Sequence, residues 1–191
     1  QSFYRVGNAL SSSIQPDKAL EQIAELAAEL LHADCSIVVS FEDEKSDNIR
    51  VAVQKGGCHN AERPLEATIM IGRRAIEAGS SVIINNLQAA ELFTCDFKEH
   101  DCLRAMVCTP MIADDTVLGL IAIYSHQFDA FEEGDAKLLE GFASHAAVAI
   151  HNALSYEHES RIANALQRSF LSLPEVNAER FEITAVYEPA M

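Results

Sequence analysis

Hydrophobic and polar positions recur along the chain with helical and strand periods, and these periods predict its elements. Residues 16–33 repeat hydrophobic side chains at helical spacing after a Pro and an Asp that favour a first helical turn. Two more helices are predicted over 65–81, where Gly79 caps the C-terminus, and from about Glu133 to Phe170. Segments rich in β-branched or alternating hydrophobic residues predict strands. These segments are 35–42, 49–54, 81–86, 105–112 and 116–125.

The order of these elements predicts an α+β fold. Strands are joined mostly by short turns, such as Asp114-Asp115, and the helices are gathered at the ends, which favours a central antiparallel sheet. From Leu87 to Arg104 the periodicity fails, and aromatic, charged and thiol side chains are mixed. A segment of this length without regular structure in a compact domain is typical of a functional loop.

The predicted long helix carries a hydrophobic stripe at coiled-coil spacing, which suggests a partner helix. The stripe consists of Leu139, Phe142, Ala146, Ala149, Ala153 and Tyr156. After an interruption at 157–161, hydrophobic residues including Leu166 and Phe170 resume on a shifted phase. From Leu139 to Phe170 an unbroken helix would span ~48 Å, so its first half can pack on the domain while its second half needs a partner. We expect a parallel homodimer; the alternative is packing against the chain's own first helix.

Composition limits the partners that the chain can have. There are 29 acidic and 14 basic residues, for a net charge of −15, which opposes binding to nucleic acid or to an anionic membrane. No hydrophobic run approaches the roughly 20 residues of a transmembrane helix. The N-terminus also lacks the hydrophobic core of a signal peptide. We therefore expect a soluble, cytoplasmic protein with no nucleic-acid or membrane partner.

No catalytic motif for hydrolysis or phosphate binding occurs in the sequence, so no catalytic residue is predicted. Cys95, His100 and Cys102 are close together in the irregular segment, but their spacing matches no known zinc or iron site. No metal site or required cofactor is predicted, and a Cys/His-based redox or metal sensor stays as an alternative. Cys35 and Cys108 lie in predicted strands, where we expect small buried side chains.

The irregular segment supplies a candidate ligand-binding pocket. Its aromatic and thiol side chains can form apolar walls, and its charged side chains can orient a polar ligand, which is the usual composition of a small-molecule site. The alternative is that these residues fill the core and the surface. The candidate residues are Phe93, Asp96, Phe97, His100, Cys102 and Arg104.

The segments LRAMVCTPMIADDTVLGLIAIYS and FEEGDAKLLEGFASHAAVAIHNALSYE resemble the second half of a GAF domain. The matching features are Pro110, the Leu118-Gly119 pair, Phe131 followed by Asp135, and the AI-x-NA run at 149–153. The resemblance covers about Asp17 to Tyr156. It implies a central antiparallel sheet of about six strands flanked by helices, with helices on one face, a loop-walled small-molecule pocket across the other, and a long C-terminal signalling helix.

The resemblance does not identify the ligand. Bilin-binding GAF domains carry a Cys-His pair before the penultimate strand, whereas Cys58-His59 follows the second strand here. Phe131 and Asp135 match two parts of the cyclic-nucleotide signature, but Ser125-His126 and Ala136 do not match the rest. Both matching residues also suit the start of a helix. Phe131 can pack there, and the Asp135 carboxylate is favourable near a helix N-terminus.

The end of the chain resembles a different family. RIANALQRSFLSLPEV followed by FEITAVYEPA is similar to the segment that enters metal-dependent serine/threonine phosphatase domains of the SpoIIE and RsbU type. That family's metal-binding aspartates follow this strand in a Gly-Gly-Asp stretch, beyond Met191. The resemblance implies that this chain is not itself an enzyme, that the parent is such a phosphatase, and that Mn or Mg would belong to the parent's catalytic domain.

These observations lead to one main hypothesis, a bacterial sensory module. It would bind a small molecule and relay its state through a dimeric helix to an attached phosphatase domain, in sigma-factor or stress-response signalling. A ligand-free dimerisation module is an alternative. The strand predicted at Phe181–Tyr187 is expected to be disordered or to pair with a sheet edge. The expected divisions are a GAF domain with N-terminal helices at 1–156, a linker or signalling helix at 157–174, and a truncated phosphatase start at 175–191.

Overall fold

The computed structural model describes residues 16–41, 49–56, 62–90 and 103–171. The chain divides into two compact units, Gln1–Glu157 and His158–Met191. The elements are α1 (Pro16–Leu30), β1 (Cys35–Phe41), β2 (Ile49–Gly56), α2 (Glu62–Ala78), β3 (Val82–Ile84), β4 (Ala105–Ala113), β5 (Thr116–Ser125) and α3 (Glu133–Leu171). They confirm the elements predicted up to residue 171, with ends that differ by at most three residues. The strand predicted at Phe181–Tyr187 lies outside the described residues.

The strands form an antiparallel sheet in the order β2-β1-β5-β4-β3. The predicted α+β fold is therefore confirmed, with five strands in the described residues. Asp114 and Asp115 join β4 to β5, and both have positive φ angles of 49° and 63°. Two such residues between paired strands form the type I′ turn that matches strand twist, which confirms their prediction as turn residues.

One face of the sheet, here called the α1/α3 face, is covered by α1 and α3. Strand side chains alternate between the two faces of a sheet, and Val38, Val107, Ile121 and Ile123 lie on this side. They form one buried cluster with residues of both helices. The helix residues include Leu20 and Ile23 of α1 and Leu139, Phe142, Ala146 and Ile150 of α3.

The opposite face, here called the α2 face, is covered by α2. Ala67 and Ile71 of α2 form a second buried cluster with strand residues that include Met106, Leu120 and Tyr124. Helices therefore lie on both faces of the sheet, whereas the family resemblance implied helices on one face only. The reason is that α2 has its own buried apolar stripe and packs directly on the strands.

Two glycines permit close approaches within this packing. A Cβ atom on Gly72 of α2 would lie 2.1 Å from Leu120 Cδ1, and a Cβ on Gly119 of β5 would lie 2.0 Å from the Val39 carbonyl oxygen. Real Cβ atoms do not approach other heavy atoms so closely. Gly119 therefore requires glycine, because its neighbour is backbone, whereas a Cβ at Gly72 would force the Leu120 side chain to move. The Leu118-Gly119 pair in the sequence therefore reflects close contact between β5 and β1.

Gly79 ends α2 as predicted. It has a φ of +63°, and its N–H donates to the Ile76 carbonyl at 3.1 Å, while the Ser80 N–H donates to the Ala75 carbonyl at 3.2 Å. A left-handed residue after the last turn with these backbone bonds is the usual C-terminal cap.

The burial of α3 corrects part of the predicted dimer contact. Leu139, Phe142, Ala146 and Ala153 are at most 7% exposed within the chain itself, so they belong to the domain's own core. Ala149 is partly buried against the same core. Tyr156, the last residue of the stripe, is 55% exposed.

In the second unit, the side chains of residues 158–167 are all exposed. They include Ile162 and Leu166, which are 47% and 53% exposed. The side chain of Phe170 lies outside the described residues. A single chain does not test the dimer, which stays a prediction.

Candidate ligand-binding site

Five of the six predicted pocket residues lie outside the described residues. They are Phe93, Asp96, Phe97, His100 and Cys102. Arg104 is described, at the point where the chain enters β4. The convergence of the six residues on one pocket therefore stays a prediction.

Arg104 is held by backbone hydrogen bonds on both sides. Its N–H donates to the Ser125 carbonyl at 2.8 Å, and its own carbonyl accepts from the Leu87 N–H at 2.8 Å. Leu87 and Leu103 are both buried on the α2 face. Leu87 and Arg104, the first and last residues of the irregular segment, are therefore held at the same end of the sheet. They lie beside Ser125, the last residue of β5.

The Arg104 side chain packs on an aromatic ring. Its guanidinium carbon lies 4.6 Å from the centre of the Phe128 ring, in the connection between β5 and α3. Such a geometry gives a cation–π attraction of about 0.5–1 kcal/mol at an exposed site. Phe128 is 42% exposed, so the pair forms a surface at the end of the sheet.

Asp34 joins the α1–β1 connection to the end of β5. Its carboxylate accepts hydrogen bonds from the His126 N–H at 2.8 Å and the Ser125 hydroxyl at 3.1 Å, and His126 Nδ1 lies 3.4 Å away. Partial burial alone raises the pKa of Asp34, but these hydrogen bonds outweigh it and lower the pKa below its usual value. Asp34 therefore contributes stability above its ordinary pKa and loses it as the pH falls through the lowered one.

A polar cluster is buried at the start of α2. The Tyr124 hydroxyl donates to the Pro64 carbonyl at 2.7 Å and lies 2.7 Å from the Thr68 hydroxyl. The Thr68 hydroxyl lies 2.8 Å from the same carbonyl. Buried polar groups are costly unless they are hydrogen-bonded, and these bonds attach the first turn of α2 to β5.

The two described cysteines differ in chemical state. Cys108 is a free thiol whose complete burial raises its pKa to about 12, so it is not a reactive thiolate at neutral pH. Cys35 is buried in β1 as predicted, but it is disulfide-bonded, which corrects its interpretation as a simple buried side chain. Its partner lies outside the described residues, and the cysteine spacing had not indicated this bond.

Two further features are absent from the described residues. In these parts of the chain, no group of three His, Cys, Asp or Glu side chains is arranged to hold a metal ion. None of the described helices has the length and hydrophobicity needed to cross a membrane.

Phe131 and Asp135 have structural roles at the start of α3. Phe131 is buried on the α1/α3 face, and its backbone N–H and carbonyl both bond to the Asn85 side-chain amide, at 3.2 and 2.8 Å. The Asp135 carboxylate accepts from the Glu132 N–H at 2.8 Å, as in a capping box. Helix entry and capping therefore account for both residues of the partial cyclic-nucleotide match.

An ion pair joins the sheet to α3 near the end of the first unit. Arg50 Nη2 of β2 lies 2.6 Å from Glu157 Oε2. The two side chains are 29% and 37% exposed, and pairs that are this accessible contribute at most about 1 kcal/mol. The contact joins residues far apart in the sequence, and no local pattern indicated it.

Several solved structures share this architecture. The GAF domain of an Acinetobacter phosphoenolpyruvate-protein phosphotransferase is 17% identical with a TM-score of 0.60, over 81% of this chain and 93% of that chain. Free methionine-R-sulfoxide reductase from Neisseria meningitidis, solved with its substrate, is 16% identical with a TM-score of 0.61, over 78% and 86%. The GAF-B domain of DevS from Mycobacterium smegmatis is 19% identical with a TM-score of 0.53, over 76% and 99%.

At these identities the likeness is one of fold. No curated protein matches the chain. A family model described as GAF domain matches residues 13–151, which is most of the chain and includes every strand of the sheet. The chain therefore belongs to the GAF domain family.

Proposed function

We propose that this chain is a sensory module that binds a small molecule on the α2 face and passes its state to α3. A GAF-fold protein holds a small molecule in at least one related structure, because the Neisseria reductase was solved in complex with its substrate. The irregular segment that the sequence assigns to ligand binding is anchored at Leu87 and Arg104, on the border of the α2 face.

One observation carries the proposal: adjacent residues of β5 pack on opposite helices. Leu120 lies against α2, and Ile121 lies against α1 and α3, and both are at most 1% exposed. Because protein interiors are close-packed, a displacement of α2 changes the packing under α3. A ligand acts in this way only if it binds one arrangement of the helices better than the other.

The proposed signal would then pass along α3. Arg50 and Glu157 fix the helix to the edge strand β2 at the end of the first unit. In the second unit, Ile162 and Leu166 are exposed apolar residues. We infer that a second copy of the chain covers them in a dimer.

The proposed receiver of the signal is a SpoIIE- or RsbU-type phosphatase domain. The support is the sequence from Arg161 to Ala190, with its Leu-Pro and Tyr-x-Pro-Ala motifs. Such a parent would act in bacterial sigma-factor or stress-response signalling and would use Mn or Mg. A Gly-Gly-Asp stretch encoded after Met191 in the parent gene supports this proposal, and a different continuation contradicts it.

Thermal unfolding in the presence of a metabolite library tests ligand binding. A ligand that binds only the folded state stabilises it by about 2.7 kcal/mol at a hundredfold excess over Kd, which raises the melting temperature measurably. A library in which no compound raises the melting temperature contradicts small-molecule sensing.

Sedimentation tests the dimer. We expect a dimer at high micromolar concentration, and a folded monomer when Leu166→Asp and Phe170→Asp are combined, because charges are costly in an apolar contact. Gln167→Asp, at an exposed neighbouring position, is the matched control and should leave the dimer intact. A wild-type chain that sediments as a monomer removes the main support for the relay.

A ligand-free dimerisation module is the second candidate. The close contact of Gly72 with Leu120 favours it, because α2 already fills the centre of the α2 face. In that case the dimer forms, but no compound in the library stabilises the chain.

A further inference from the structure

Arg104 carries a positive charge that the described residues do not neutralise. Among the described residues, its guanidinium has no ion-pair or hydrogen-bond partner, and it stacks on the Phe128 ring. Arg50 and Lys137, by contrast, lie 2.6 and 2.7 Å from the carboxylates of Glu157 and Glu133. In a chain of net charge −15, carboxylates are plentiful, yet none of those described is placed against Arg104.

The carboxylate of Asp34, which also bonds to Ser125, is already satisfied. It accepts from the His126 N–H and the Ser125 hydroxyl, and those groups, together with burial, account for its altered pKa. Arg104 takes no part in that cluster, although its own N–H bonds to the Ser125 carbonyl. The guanidinium of Arg104 therefore keeps its N–H donors available.

The surroundings of Arg104 also limit its movement. The backbone is fixed by bonds to Leu87 and Ser125, and the side chain is stacked on the Phe128 ring. A guanidinium that stacks through its face still presents its N–H groups along its edges, in the fork that matches a carboxylate or a phosphate. Because this guanidinium is already ordered, it loses less conformational entropy on binding an anion than a mobile side chain does.

We propose that Arg104 and Phe128 form a subsite for the oxyanion group, a carboxylate or a phosphate, of the small molecule that the domain binds. The proposal rests on the proposed sensory function and specifies the chemical class of its ligand. The acidic surface gives no general attraction for anions, and charges more than about 8 Å away are largely screened at physiological ionic strength. Anion binding must therefore come from local contacts such as this one.

Titrations with inorganic phosphate and with succinate, at constant ionic strength, test the subsite by calorimetry and thermal unfolding. At least one anion should bind the wild type, and Arg104→Gln should weaken that binding by about tenfold or more, since charge-assisted hydrogen bonds are lost. Arg104→Lys should fall between the two, because it keeps the charge without the fork. The preference between the two anions distinguishes phosphate from carboxylate ligands.

Two further variants sharpen the test. Phe128→Leu removes the ring and should weaken anion binding by about two- to fivefold. Arg74→Gln, at an exposed position of α2, removes an equal charge away from the subsite and should leave binding unchanged. Circular dichroism of each variant checks that it is folded.

The proposal is overturned if neither anion binds the wild type, or if Arg104→Gln and Arg74→Gln weaken binding equally. A library compound that stabilises the wild type and Arg104→Gln to the same extent also overturns the subsite, while it leaves the sensory function standing. If no library compound binds at all, the sensory function itself fails.

Discussion

The two faces of the sheet are attached to their helices by the same kind of bond but at different places. On the α1/α3 face, the Ser36 hydroxyl donates to the Ala24 carbonyl, in the second half of α1, at 2.6 Å. On the α2 face, the Tyr124 hydroxyl donates to the Pro64 carbonyl, in the first turn of α2, at 2.7 Å. The first face is also covered by a second helix, whereas the second face borders the irregular segment.

This difference indicates which face can adjust. α1 is bonded to the sheet in its second half, through Ala24, and packs in one cluster with α3. α2 is bonded at its start and rests on Leu120 through Gly72, which has no side chain to interlock. The bond at the start of α2 leaves the rest of the helix able to shift over its strands. This supports the proposal that the α2 face senses the ligand and the α1/α3 face transmits the signal.

Truncation of adjacent β5 residues compares the faces directly and should have the largest effect. Ile121→Ala and Leu120→Ala each remove a buried side chain, and such changes cost about 2–5 kcal/mol depending on how well the site collapses. We expect the larger loss for Ile121→Ala, because α2 can settle toward Leu120 through Gly72. Chemical denaturation measures both, and an equal or reversed order contradicts an adjustable α2 face.

A methyl group placed at Gly72 should have the next largest effect. Gly72→Ala sets a Cβ against the Leu120 side chain, and overpacking of this kind costs about 1–3 kcal/mol. Gly141→Ala in α3 is the matched control, because nothing lies within 4 Å of its added Cβ. The control should gain about 0.5–1 kcal/mol from helix propensity. A gain of the same size at Gly72 would mean that α2 is not in close contact with the sheet.

The Arg50–Glu157 pair, which joins β2 to the middle of α3, should give a smaller effect. A double-mutant cycle with Arg50→Gln and Glu157→Gln should yield a coupling of up to about 1 kcal/mol, reduced by added salt because the pair is partly exposed. The free energies of unfolding of the four variants measure it. Additive losses would mean that the pair does not hold α3 to β2.

Removal of residues 175–191 should have the smallest effect. If this tail belongs to a following phosphatase domain, its deletion changes the stability of the GAF domain by less than about 0.5 kcal/mol. Thermal unfolding of the shortened and full chains provides the comparison. A large loss would place the tail in the domain's own core and would require withdrawal of the phosphatase proposal.

Local signals explain what the sequence could predict about the fold. The ends of α2 and of the β4–β5 hairpin follow from Gly79 and Asp114-Asp115, whose backbone preferences act over a few residues. The face that α2 covers was not predictable in the same way. β4 and β5 are buried on both faces over most of their length, so their residues lack the alternation that would mark one face as solvent.

Less of the candidate site than of the fold could be predicted from the sequence. Arg104 was identified by its charge in an irregular segment, but Phe128 and Asn85 act through contacts between distant parts of the chain. The disulfide of Cys35 likewise had no spacing signal. The stripe on α3 predicts a partner helix, and that dimer stays a prediction. Four residues of the stripe pack within the domain instead, because a coiled-coil spacing also suits packing within a domain.

Hydrogen exchange across the sheet tests the central claim, that α2 and α3 are coupled, without a known ligand. Gly72→Ala perturbs the α2 face, and exchange at residues 139–150 of α3 reports on the opposite face, with Arg74→Gln as the control. The account predicts faster exchange in α3 for Gly72→Ala than for the wild type or the control. Exchange that changes in α2 and β5 but not in α3 would contradict the relay.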